Sequence, residues 1–117
     1  MKLKIKGNEI ELVYSFRSGI YFESITGHNL DFSNMSGNDL ISLFYAVVVA
    51  SLQKAKEPIV SMLDFMDAID DAGGEQCLLE FSNWYVEQLK AQYEIEEPIE
   101  EKEIKEEKVI ASKKKKS

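Results

Sequence analysis

Residues that carry chemistry are scarce in this chain: among 117 residues it has one cysteine, one histidine and one tryptophan. A lone Cys77 excludes an intramolecular disulfide and any zinc site built from several cysteines. It reads as a small buried apolar residue in a reducing compartment, the cytoplasm. No neighbour in sequence is placed to lower its pKa, so a structural thiol is expected. His28 follows Gly27 in a loop beside Asn29, where exposure or capping is expected rather than proton transfer. Long apolar runs are missing too. The longest, Leu40 to Leu52, would rise only about 20 Å as a helix against roughly 30 Å of bilayer hydrocarbon, so it is too short to span. The opening "MKLKIKGNEIEL" has no continuous apolar region or small-residue cleavage site, and is not expected to act as a signal peptide. The glycines form neither G-x-G-x-x-G nor G-x-x-x-x-G-K-[ST], so no phosphate cradle is legible. No catalytic, cofactor or metal site is expected, and the chain does not read as an enzyme.

Positive charge is short in the body of the chain. Residues 1–93 carry 7 Lys and Arg against 13 Asp and Glu, and residues 94–117 carry 7 against 8, within a formal net charge of −7. An acidic surface repels phosphate backbones, which argues against nucleic acid as a partner despite the terminal "KKKK". What is present is a foldable composition, 44% hydrophobic with all three aromatic types, at a length suited to one domain.

In "LKIKGNEIELVY" polar and apolar side chains alternate on either side of Gly7-Asn8, a pair suited to a two-residue hairpin turn. The expected hairpin spans 2–14. Leu3, Ile5, Ile10, Leu12 and Tyr14 would share its buried face, and Lys2, Lys4, Lys6, Glu9 and Glu11 would face water as opposite-charge cross-strand partners. A first helix follows over about 15–27. Ser15 would be its N-cap, Phe16, Ile20 and Ser24 recur at helical spacing, and Gly27 stands where a left-handed C-cap belongs. Gly19 within it either is simply tolerated or permits a close backbone approach.

A second helix over 38–55, opened by Ser36 or Asn38, is apolar almost all round, so either it is the central core helix or one side meets another chain. Pro58 closes that segment. A third helix over 60–72 places Met62, Phe65, Met66 and Ile69 on one face and stops at Gly73-Gly74. The fourth, over 75–93, puts Leu78, Phe81, Tyr85 and Leu89 on one face. Asp64, Asp67, Asp70 and Asp71 fall every third or fourth residue, unlike the alternate ligands of a calcium loop, and read as a solvated face. Residues 94–117, charged and interrupted by Pro98, read as a flexible tail outside the domain of 1–93. The expected fold is therefore α+β and mostly helical, a β-hairpin packed on about four helices with a disordered charged tail. Leu40, Leu43, Phe44, Val47 and Val48, with Trp84 and Tyr85, are candidates for a protein contact surface that would also support self-association.

The order of these segments, "IKGNEIELVYSFRSGIYFESITGHNLDF", an apolar helix, "PIVSMLDFMDAIDD", a last helix and a charged tail, resembles the tail assembly chaperones of long-tailed bacteriophages. Members commonly open with a hairpin of the kind "IKGKEYELKF" and pass through a helix ending in an "xTGxNL" turn; Lys4 to Tyr14 and Ile25 to Leu30 carry those features here. The segment "YAVVVAS" departs from the family in being more β-branched. The resemblance implies a non-enzymatic chaperone in the host cytoplasm, absent from the mature virion. It would bind the tape measure protein and help recruit tail tube subunits. Family members are commonly made in a short and a longer form by ribosomal frameshifting, and consecutive lysine codons form adenine-rich message. The resemblance thus implies a slippage site at Lys113 to Lys116, with a longer form that contacts the tail tube protein. A small phage adaptor or regulatory protein of other role remains an alternative, and an enzyme would require a pocket of convergent polar groups.

Overall fold

The computed structural model describes residues 1–104, with side chains described as far as 92. The lysine run 113–116 and the end of the expected tail lie outside the described residues. A two-stranded antiparallel hairpin is followed by four helices, the architecture expected from the sequence. Among the described residues no helix is long and apolar enough to cross a membrane. The chain divides into two units, Met1–Tyr85 and Val86–Ser117.

Strands β1 (Lys2–Ile5) and β2 (Asn8–Glu11) pair with Leu3 opposite Ile10 and Lys4 opposite Glu9. The turn is Lys6-Gly7, not Gly7-Asn8. Both residues have positive φ, 52° and 83°, as a type I′ turn requires. Either turn keeps the same side chains on the same face, because the two registers differ by two residues in pairing, so alternation cannot choose between them. The observed choice puts glycine second, the position it holds in Asn-Gly turns. It also brings the Lys6 ammonium to 3.3 Å from Asp64.

Helix α1 (Phe16–Thr26) begins after Ser15, which has extended backbone but makes no side-chain cap bond, and ends at left-handed Gly27. Its buried residues are Ser18 and Phe22; Phe16, Ile20 and Ser24, expected to share an inward stripe, are all exposed. This orientation buries Phe22 completely, and Arg17 and Tyr21, one turn apart, both donate to Gln53 Oε1 on helix α2. Nothing lies within 4 Å of a Cβ built on Gly19, so this glycine is tolerated rather than needed for close approach.

Helix α2 (Gly37–Lys54) opens on a capping box in which Ser36 and Asp39 bond each other's backbone. It ends with Lys56 in the left-handed region and Glu57 N–H donating to Leu52 O at 2.9 Å. Helix α3 (Met62–Asp71) is capped by Ser61 and buries Phe65, Ala68 and Ile69, while Met66 falls outside the face expected of it. Gly73 and Gly74, both left-handed, close α3 and lead into α4 (Glu75–Ile104). In the second unit α4 continues to Ile104, past the end expected at 93 and through Pro98. Glu, Lys and Gln there are strong helix formers, and Pro98 removes a single N–H donor from the ladder.

The core of the first unit is aromatic. Phe44 stacks on Phe81 with centroids 4.2 Å apart and meets Phe65 edge-on at 5.1 Å. Tyr85 extends this row to Phe32 at 5.4 Å and Tyr14 at 5.5 Å. α2 runs through the middle, touching rings from α3 and α4 and packing on α1 and β2. A helix with neighbours on several sides buries most of its surface, which explains its largely apolar pattern.

Candidate interaction surfaces

Most of the seven residues expected to form a contact surface lie in the core of the chain itself. Leu43, Phe44, Val47 and Val48 are fully buried and Tyr85 nearly so, while Leu40 and Trp84 are half-buried. α2's central position places them in the chain's own core, so a partner could reach most of them only by opening the fold.

The apolar side chains left outside belong to other faces. On α1, Phe16 is 85% exposed and Ile20, one turn later, is also exposed. On α3, Leu63 is 70% exposed beside exposed Met66. Ile59 and Leu79 are likewise exposed. Leu63 and Leu79 had a weak signal in the sequence, since each is an apolar residue set between the positions of its helix's buried stripe. Phe16 carried the opposite signal, because its spacing to Ile20 matched a core stripe.

The histidine and the cysteine, the side chains best suited to chemistry near neutral pH, are both held structurally. His28 Nδ1 lies 3.1 Å from the carbonyl oxygen of Asn29, and Nε2 lies 3.1 Å from Asp39 Oδ1. Both partners only accept, so satisfying both needs an N–H on each ring nitrogen, the imidazolium form. The Asn29 carbonyl first, then the Asp39 carboxylate, raise its pKa above the usual value of 6.5, partly opposed by desolvation. Neither nitrogen is then free to take up a proton. The surrounding "TGHNL" turn is built by Thr26, whose Oγ1 donates to Phe22 O at 2.9 Å and accepts from His28 N–H at 3.3 Å. Burial, then Glu80, push the Cys77 thiol up, away from thiolate reactivity. Tyr85 is pushed up to about 12 by burial, then by Tyr14. Asp64 pairs with Lys6, and Asp67, Asp70 and Asp71 face solvent. Among the described residues no group of three or more His, Cys, Asp or Glu could hold a metal ion.

A cleft of about 870 Å³ lies between β2 and the segment that joins α2 to α3. Glu9 and Glu11 form part of one wall, Pro58, Ile59 and Val60 the other, and Leu52 lies at the end of α2 between them. Tyr45 Oη fixes the second wall by donating to Val60 O at 2.7 Å.

No family model, curated protein or solved structure matches this chain.

Proposed function

We propose that the chain is a non-enzymatic tail assembly chaperone of a long-tailed bacteriophage, which binds the tape measure protein and helps recruit tail tube subunits in the host cytoplasm. The observation that carries this reading is the segment order itself, from the "IKGNEIELVY" hairpin through the "ITGHNL" turn to an apolar central helix. Two features support it. Apolar side chains as large as Phe16 and Leu63 stand outside the core on two different helices, suited to shielding an apolar helical client. The net charge of −7 keeps such a surface soluble. A longer form made by slippage at Lys113–Lys116 would add the contact to the tail tube protein.

Co-expression with segments of a tape measure protein is the direct test. The chain should raise the soluble fraction of the client and co-elute with it. Equal aggregation of the client with and without the chain would overturn the reading. A defined dimer with no affinity for any segment would point instead to a small adaptor protein.

A further inference from the structure

The hairpin has two edges, and hydrogen bonding shows which groups of β2 face away from β1. The Leu12 N–H donates to Met1 O at 2.8 Å, so Met1 and Leu12 are a hydrogen-bonded pair. Such pairs alternate with non-bonded ones along an antiparallel ladder, which makes Leu3–Ile10 and Ile5–Asn8 bonded pairs as well. The N–H and C=O groups of Glu9 and Glu11 therefore point outward. Val13 shares their phase, and its N–H donates to Ser51 Oγ on α2 at 2.9 Å. α2 thus covers this outer edge at Val13, two residues past β2, and leaves it open at Glu9 and Glu11, where the cleft begins. Open strand edges are templates for pairing unless they are blocked.

We propose that this open edge of β2 is a docking site for an extended polypeptide segment of alternating basic and apolar residues, which adds to the hairpin as a third strand. It stands whether or not the chain handles a tape measure protein. The chemistry of the segment follows from β2 itself. Across its paired edge, Glu9 and Glu11 face Lys4 and Lys2, while Ile10 faces Leu3. β2 presents the same side-chain faces to its open edge. A strand there places basic residues beside the two glutamates and apolar ones toward Leu52 and Val60, repeating the pattern of β1. Pro58, Ile59 and Val60 wall the cleft on the side opposite β2, and its volume is within the roughly 300–1,000 Å³ common for ligand sites. Pairing with β2 of a second copy is disfavoured, because an antiparallel two-fold would set Glu9 and Glu11 against the copy's glutamates.

The test is an NMR titration of the full ¹⁵N-labelled chain with a capped peptide of alternating lysine and valine, about eight residues long. Saturable shifts and slowed exchange are expected at the Glu9 and Glu11 amides. Affinity should fall about tenfold or more for the same peptide N-methylated on the bonding edge, and for a peptide of alternating glutamate and valine. The double variant Glu9→Lys, Glu11→Lys should reverse the preference between the two peptides. If that variant does not fold, the N-methylated peptide on the unchanged chain still decides. Equal binding of the N-methylated peptide, or shifts confined to other residues, would overturn the proposal. So would amides of Glu9 and Glu11 already protected without peptide: loss of protection on dilution would assign the edge to a second copy, and its persistence would assign it to the chain itself.

Discussion

His28 shows how an exposed residue is tuned without burial. Its ring bridges the Asn29 carbonyl and the Asp39 carboxylate, and Asp39 also receives the Ser36 N–H in the capping box of α2. The pKa is raised in the fold, so the folded state binds the proton more tightly than the unfolded one. The resulting stabilisation is fully present below about 6.5, the unfolded value, and is lost as pH rises through the higher folded value. An NMR titration of the His28 ring protons should give a midpoint above 6.5. Asp39→Asn should lower that midpoint only in part, since the Asn29 carbonyl, the largest single cause, remains. A midpoint at or below the ordinary value would mean that the bridge does not persist in solution. Other single-residue features were not legible at all. Lys6 and Lys56 take left-handed backbone, a conformation lysine does not signal, because the two-residue hairpin turn and the bond from Glu57 N–H to Leu52 O at the end of α2 require it.

Among the elements, those fixed by local chemistry were legible and those fixed by packing were not. The hairpin, the Ser36 cap and the Gly73-Gly74 stop depend on residues a few positions apart, and each is found near its expected place. The facing of α1 was misread because it has apolar residues on both sides, and the choice between them is made by packing against α2, where Phe22 is buried and Arg17 and Tyr21 reach Gln53, more than thirty positions away. The contact-surface residues of α2 were misplaced for a related reason: an all-round apolar helix is written the same way whether its neighbours are its own chain or another. The link between hairpin and α2 was also invisible, since it rests on Ser51. Its buried hydroxyl accepts from Val13 N–H and donates to Val47 O at 2.7 Å. Ser51→Ala leaves a part-buried N–H without its acceptor, and should cost about 1–3 kcal/mol in urea unfolding with faster exchange of the Val13 amide. A loss below about 0.5 kcal/mol would show that the hairpin is anchored elsewhere.

For the whole molecule, the proposals place two partners on surfaces that respond differently to salt. The outward residues of α1 and α3 offer apolar contact, and hydrophobic burial is not screened by ions. The open edge of β2 draws part of its selectivity from Glu9 and Glu11, whose side chains are well exposed, and such pairs weaken once the Debye length falls to about 8 Å at 0.15 M. Capture of a tape measure segment should therefore hold between low and physiological salt, while the lysine–valine peptide loses affinity over the same range. Substitution separates them as well. Phe16→Ser with Ile20→Ser should reduce client capture about tenfold or more with little change in unfolding midpoint, because both side chains already face water in the fold. The peptide should bind that variant as it binds the unchanged chain. Capture that survives both serines yet fails at physiological salt would place the client on a charged surface, and the outward face of α1 would then lose its part in the proposed function.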